Sequence, residues 1–286
     1  MATQALWEDY IALQNNFSGT FRTLPSAKTY EPSLLEEGRW QPFRDEALSH
    51  LAIDEAPLPC PEDREGYYGN DHFAYWASGL YDWLNLRKAA CELHQAPQRY
   101  LDIGCASGRV LRHAALDPGV TAWGCDISRR HVDWCNAFLP ENITIFQNTS
   151  IPTLPLESNS FDVVSAYSVF THIESFETTW LAELRRILRP GGIAWLTIHS
   201  DHTLIKMAPD WPLYGAVATH PDFAAINAER EMHSDRMIFR WHNSKSYSSN
   251  VFYRRPYIQK VWGRIMKIKR YINEFPQYQD VVILQK

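Results

Sequence analysis

The chain has 286 residues and a formal charge of -5, from 28 basic against 33 acidic side chains. With 45% hydrophobic and 21% charged residues its composition is that of an ordinary globular protein, which excludes a disordered, collagen-like or coiled-coil chain. A prior of ~150 residues per domain allows about two domains or one large domain with additions. The pI near 6.1 supplies no global field to gather a polyanion, so nucleic acid is not an expected partner.

The five cysteines, Cys60, Cys91, Cys105, Cys125 and Cys135, are odd in number and form no C-x-x-C pair, so neither a disulfide framework nor a zinc knuckle is expected. No apolar run approaches the ~18 residues that span a bilayer. Residues 1–16 carry Glu8 and Asp9 where a signal peptide places lysines and an apolar block. The expected location is the reducing cytoplasm, with no membrane span.

In chain order, residues 1–66 contain six prolines, Pro25, Pro32, Pro42, Pro57, Pro59 and Pro61, around short helical patterns such as Leu6, Tyr10, Leu13 and Phe17. They read as an N-terminal helical extension that wraps the remaining domain, 67–286. At the junction, Tyr67, Tyr68, His72 and Trp76 suit a lid or an acceptor pocket, while Phe73, Trp76 and Leu80 equally make the buried face of a helix.

From about 97 to 199, short apolar runs alternate with amphipathic stretches. The runs Arg99–Ile103, Thr121–Cys125, Ile143–Gln147, Phe161–Tyr167 and Ile193–Ile198 are expected strands of β/α units on a parallel sheet. Between the last two, Phe176, Trp180, Leu184 and Leu188 recur every four residues, with Leu181 and Ile187 beside them and Glu183, Arg185 and Arg186 on the other face. That pattern predicts a helix ended by Pro190, Gly191 and Gly192. Residues 200 to about 260 form an aromatic-rich insertion with Trp211, Tyr214, Phe223, Phe239, Trp241, Tyr247, Phe252 and Tyr253, followed by two strand-like runs near 264–272 and 281–284. The basic run Arg254, Arg255, Lys260, Arg264, Lys267, Lys269 and Arg270 is read mainly as a solvated face.

The strand at 99–103 runs into Asp102, Gly104, Cys105, Ala106, Ser107 and Gly108, small residues that let a ligand approach the backbone at a helix N-terminus. The spacing fits neither G-x-G-x-x-G nor a phosphate loop. Twenty-four residues after Asp102 the next strand ends in Asp126, followed by Ile127 and Ser128. A carboxylate at that strand tip can accept hydrogen bonds from two ribose hydroxyls, so a nucleoside is the expected ligand.

The run Asp102-Ile-Gly-Cys-Ala-Ser-Gly resembles the D-x-G-x-x-x-G motif of class I S-adenosylmethionine-dependent methyltransferases. Asp126 stands at their ribose acid, and Leu154-Pro-Leu-Glu-Ser-Asn-Ser-Phe-Asp-Val-Val and Leu184-Arg-Arg-Ile-Leu-Arg-Pro-Gly-Gly resemble their later motifs in order. The resemblance implies an α/β fold: a Rossmann-like seven-stranded sheet, last strand antiparallel, with helices on both faces, the N-terminal extension and a cap insertion after strand five. It implies S-adenosylmethionine as cofactor. Ser150 falls where such families often place an adenine-binding Asp, with Asn148 as another polar candidate and Ile151 as the apolar surface for the ring.

Tyr167 and His172 follow strand four, where the transferred methyl is expected, and His172 is either a general base for an acceptor hydroxyl or a residue that positions the loop. His199, Asp201 and His202 make an H-x-D-H segment that is too short for a complete metal site, so no metal is expected and substrate contact is the preferred role of His199. Together with Tyr68, His72, Trp76 and Trp211 it defines the expected acceptor site. The expected activity is methyl transfer to a small-molecule or glycan acceptor, on a hydroxyl oxygen, with N-methylation or a non-catalytic cofactor-binding partner as alternatives. The absence of Y-x-x-x-K after strand four counts against hydride transfer, and the absence of [DN]-P-P-[YF] counts against methylation of DNA amines.

Overall fold

A computed structural model describes residues 20–64, 67–226, 231–241, 249–275 and 278–286. The helical pattern expected at Leu6 to Phe17 and the aromatic Tyr247 lie outside the described residues. The chain divides into two compact units, one ending at Thr149 and the other running from Ser150 to Lys286.

In the first unit, β1 (Thr23–Ser26) pairs antiparallel with β2 (Pro57–Pro59), and between them lies helix α1 (Arg44–Ile53). Helix α2 (His72–Glu92) begins where the Asp71 carboxylate accepts the Ala74 N–H at 2.9 Å, an N-cap, and it ends before His94, whose φ is +59°. Phe73, Trp76, Ala77, Leu80, Trp83, Leu84 and Leu86 are all buried, so this helix is enclosed nearly all round rather than along one stripe. Gly79 allows that enclosure, since a Cβ there would meet the Arg109 carbonyl far inside van der Waals contact.

Strands β3 (Arg99–Ile103), β4 (Thr121–Asp126) and β5 (Ile143–Gln147) are parallel, with Leu101 opposite Trp123 and Cys125 opposite Phe146. The short helix α3 (Leu111–Ala114) follows β3, and α4 (Arg129–Phe138) follows β4, giving the β/α alternation expected from the apolar runs. β3 and β5 have the expected bounds, and β4 extends one residue further to include Asp126.

The leader is fastened to this unit by buried ion pairs. Arg112 on α3 is fully buried and donates from Nε and Nη2 to Asp54 at 2.8 and 3.0 Å, and to the carbonyls of Ala56 and Pro57. The Nε1–H of Trp76 donates to the same carboxylate at 2.7 Å. Asp117 accepts from Arg87 at 2.6 Å and Trp83 at 2.8 Å, and lies 3.0 Å from His50 on α1. Saturating each carboxylate with donors is what makes its burial tolerable.

In the second unit, β6 (Phe161–Ala166) is parallel to β7 (Leu188–Ser200), and helix α5 (Glu177–Ile187) joins them. The helix departs from expectation in two ways. Phe176 does not extend the apolar stripe: it lies outside the helix, 46% exposed, with φ at +65°. Glu183 is buried rather than solvated because its carboxylate accepts the Leu154 N–H at 2.7 Å and pairs with Arg186 at 2.7 Å. β7 begins at Leu188, ahead of Pro190-Gly-Gly, because Leu188 pairs with Phe161 and the register shifts before Val163 meets Ile193.

Helices α6 (Asp201–Lys206), α7 (Pro212–Val217) and α8 (Pro221–Ile226) follow, then β8 (Arg236–Arg240), β9 (Ser249–Tyr253) and α9 (Arg255–Val261). This insertion has its own core of Leu204, Met207, Leu213, Val217, Phe223, Phe239 and Phe252. β8 and β9 pair antiparallel, and β9 runs parallel to the end of β7, pairing His199 with Phe252 and Ser200 with Tyr253. The closing strands β10 (Lys267–Ile272) and β11 (Asp280–Gln285) form an antiparallel pair, and β11 is antiparallel to β7, so the order within this unit is β10-β11-β7-β6. Lys260, Arg264, Lys267, Lys269 and Arg270 of the basic run are exposed, while Arg255 pairs with Asp280 at 2.9 Å.

Gly79→Ala should lower the stability of the folded chain by ~1–3 kcal/mol through overpacking, seen as a lower urea midpoint, whereas Gly119→Ala adds a methyl to open space at φ +83° and tests backbone strain alone. A second expectation concerns acid. Burial raises the Asp54 carboxyl but the adjacent Arg112 charge and hydrogen bonds outweigh it, leaving Asp54 below its ordinary value; burial of Asp117 is likewise outweighed by its bond to His50 and the charge of Arg87. Burial also holds the His113 imidazole well below its usual value. All three bind protons less readily folded than unfolded, so the urea midpoint should fall as pH drops below ~6.5, where unfolded histidine protonates, and fall further near ~4 as unfolded carboxylates do. A midpoint that is flat from pH 7 to 4 contradicts this assignment.

Candidate functional site

In the first unit the functional turn lies between β3 and α3. Gly104 and Cys105 both donate their N–H to the Cys125 carbonyl, at 2.8 and 3.1 Å, and Gly108 donates to Cys105 at 2.8 Å. Gly104, Ala106 and Gly108 have φ of +69°, +46° and +74°, an alternation of left-handed residues that glycine and a small side chain tolerate best. At Gly108 a Cβ would also strike the Leu139 side chain.

Asp126 closes this turn. Its Oδ2 accepts the Ala106 N–H at 2.8 Å and its Oδ1 accepts the Ser128 N–H at 2.8 Å, with His131 Nδ1 at 3.5 Å. A carboxylate offers about four lone-pair positions, so two backbone bonds leave capacity for two further donors. Ile127 presents its carbonyl to Gln147 at 3.0 Å. Asn148 donates its backbone N–H to the Asp126 carbonyl at 3.1 Å, and its buried side-chain Oδ1 has no hydrogen-bond partner among the described residues. Buried polar atoms are nearly always satisfied, so this orphan acceptor fits a ligand donor.

Asp102 is buried beside the turn, as are Cys105 and Cys135. A hydrogen bond to Cys135, added to burial, pushes the Cys105 thiol well up, so it is a packing group and not a nucleophile. Ser107 is fully buried and its hydroxyl donates to the Asp63 carbonyl of the leader, while the Asp63 carboxylate pairs with Arg130 on α4.

Three residues expected at the acceptor site lie in this unit. Trp76 is fully buried and bonded to Asp54, which makes it an anchor of the leader rather than an acceptor surface. His72 is half-buried, its Nδ1 accepting from Arg64 at 2.7 Å and its ring 5.7 Å from Tyr30. Tyr68 is half-buried with φ at +62°.

In the second unit, Tyr167 is buried at the end of β6. Ser168 follows with φ at +56°, its N–H bonded to Thr197 Oγ1 at 2.6 Å and its hydroxyl accepting from Gln279 at 2.7 Å. The next turn is held against β9: Val251 donates to the Thr171 carbonyl at 2.8 Å and Tyr253 Oη donates to the Phe170 carbonyl at 3.0 Å. His172 Nδ1–H donates to the Ser249 carbonyl at 2.5 Å, which puts the lone pair of the neutral ring on Nε2. Burial lowers its pKa.

His199 lies between the rings of Phe252 and Tyr278, with centroids at 5.0 and 6.4 Å, and Trp211 is 6.0 Å from Tyr278. Burial, with the charge of His172 acting in the same direction, pushes His199 down to about 3, so it is neutral near pH 7. Its Nδ1 and the Oε1 of Gln279 are buried and have no hydrogen-bond partner among the described residues. Asp201 pairs with Arg255, and His202 with Asp280. Among the described residues no cluster of three His, Cys, Asp or Glu side chains has the geometry of a metal site. Ser150 Oγ is buried with no hydrogen-bond partner among the described residues, and Ile151 is 44% exposed.

Sequence reasoning missed Asp63, Arg64, Asp54, Arg112 and Gln279. The signal available for Arg112 was a charged residue on the apolar face of a short helix; for the others, partners come from distant segments and no local pattern marks them.

Residues 101–196 match the family model described as a methyltransferase domain. Over 99 residues the chain is 29% identical to the sterol 24-C-methyltransferase of Schizosaccharomyces pombe, covering 33% of this chain and 26% of that protein. Over 97 residues it is 31% identical to the ubiquinone biosynthesis O-methyltransferase of Roseobacter denitrificans, covering 33% of this chain and 38% of that protein. The chain thus spans well under half the length of these curated relatives. Among solved structures, the Burkholderia thailandensis 1,6-didemethyltoxoflavin-N1-methyltransferase aligns with a TM-score of 0.50 at 13% identity, over 85% of this chain and 89% of that one.

The fold is Rossmann-like α/β, its seven strands being β3, β4 and β5 of one unit and β6, β7, β10 and β11 of the other, with β11 antiparallel as the motifs implied. Residues 101–196, with the glycine turn inside them, are thus similar to S-adenosylmethionine-dependent methyltransferase domains, whose cofactor is S-adenosylmethionine. The first unit fits that nucleoside: left-handed small residues leave room for it, Asp126 retains acceptor capacity, and Asn148 presents an unfilled acceptor.

Among the described residues no helix is long and apolar enough to cross a membrane.

Proposed function

We propose that this chain transfers a methyl group from S-adenosylmethionine to a hydroxyl oxygen of a small-molecule or glycan acceptor, with His172 as general base. The cofactor, when bound, supplies a methyl carbon activated by a sulfonium sulfur. Asp126 would hold the ribose hydroxyls, Gly104 to Gly108 and Asp102 would line the amino-acid and ribose side, and Ile127, Ser128 and Asn148 would complete this unit's side of the cofactor's surroundings.

The observation that carries the choice of oxygen is the state of His172. Its Nδ1–H is committed to the Ser249 carbonyl, so the ring presents Nε2 as a proton acceptor, and burial keeps it unprotonated near neutrality. An acceptor hydroxyl gains nucleophilicity as its proton moves to Nε2. His199, neutral and flanked by Phe252 and Tyr278, together with Trp211, would hold the acceptor body through ring contacts and one hydrogen bond. The relatives' names span carbon and oxygen acceptors, so family membership alone does not select the atom; the histidine supports oxygen.

Asp126→Ala should weaken binding of S-adenosylhomocysteine by ~1–3 kcal/mol, measured by titration calorimetry, and unchanged affinity would remove the ribose role. His172→Gln should lower kcat by ~100- to 10,000-fold with little change in S-adenosylhomocysteine affinity. The wild-type kcat should fall as pH drops through the lowered imidazole pKa, below ~6.5, and stay level above it. A radiolabelled-methyl screen of phenols, sugars, carboxylates and amines supplies the acceptor for both measurements. Labelling of amines alone would overturn the choice of oxygen.

A further inference from the structure

Arg64 is a buried cation in the leader, 2% exposed, one residue beyond the Asp63 carbonyl that accepts the Ser107 hydroxyl of the glycine turn. Its guanidinium carbon lies 4.8 Å over the Tyr75 ring on α2. Nη2 donates to the Gly69 carbonyl and to His72 Nδ1, both neutral atoms, and among the described residues Nε and Nη1 have no hydrogen-bond partner. The acids beside it in sequence are otherwise engaged: the Asp63 carboxylate pairs with Arg130, and the Asp71 carboxylate caps α2 through Ala74. A guanidinium withdrawn from water is costly unless an anion meets it, and the planar fork is shaped for a carboxylate. Among the described residues of this unit the other buried arginine, Arg112, meets that requirement with Asp54.

We propose that Arg64 receives the carboxylate of the cofactor's amino-acid tail, so that the leader, and not the glycine turn alone, recognises that end of the ligand. The inference rests on the methyltransferase reading. His72, expected at the acceptor site, is then a positioning residue: its Nδ1 orients the Arg64 fork, and Tyr75 supports the guanidinium face. The same contact links occupancy of the cofactor site to the seating of residues 63 and 64 on the turn.

The test compares two ligands on the full chain by titration calorimetry. S-adenosylhomocysteine carries the amino-acid tail, and 5′-methylthioadenosine has the same nucleoside and sulfur without it. In Arg64→Met, affinity for S-adenosylhomocysteine should fall about ten- to hundredfold, the loss of a charge-assisted hydrogen bond, while affinity for 5′-methylthioadenosine stays within about twofold. Arg64→Lys, which keeps the charge, should recover part of the wild-type preference, and Arg64→Gln should not. Equal weakening of both ligands, or no change in either, would overturn the assignment of Arg64. Failure of the wild-type chain to bind 5′-methylthioadenosine or S-adenosylhomocysteine at all would instead overturn the methyltransferase reading on which it rests.

Discussion

The side chain of Asp126 holds the glycine turn in place. By accepting the N–H groups of Ala106 and Ser128, it ties the loop after β3 to the loop after β4, and it fixes Ala106 at a left-handed φ that an alanine does not adopt without support. The backbone of Gly104 and Cys105 converges on the Cys125 carbonyl from the same side. One carboxylate at a strand tip thus shapes the turn, and its remaining lone pairs are what the proposed ribose contact would use.

Around that turn the first unit is assembled with an unusual share of buried ions. Arg112 with Asp54, Arg87 with Asp117, and Arg109 with Asp82 join the leader, α2 and the segment after the turn. Each pair is weak evidence for net stability, because desolvation offsets the attraction, but each is specific: the geometry is satisfied in one arrangement only. The leader is seated by these pairs and by the Ser107 hydroxyl, with Arg64 beside them as the buried cation whose hydrogen bonds reach only neutral atoms.

In the second unit the chemistry is organised by strand pairing. β9 aligns Phe252 with His199 and brings Ser249 to His172, so the tautomer of one histidine and the aromatic flank of the other come from the same inserted strand. The insertion after β7 therefore fixes the tautomer of the histidine proposed to activate the acceptor.

The amino-acid sequence by itself determined the β/α alternation, because buried parallel strands require continuous apolar runs, and β3 and β5 were legible to the residue. It also determined the glycine turn, since the small residues between Asp102 and Gly108 are a local requirement of its left-handed backbone. The exposure of Phe176, the burial of Glu183, the anchoring of Trp76 and the burial of Arg64 were decided by tertiary structure alone. Periodicity records which face of a helix is apolar, whereas a buried charge depends on whether a partner arrives from a segment tens of residues away, and nothing in the local pattern encodes that meeting.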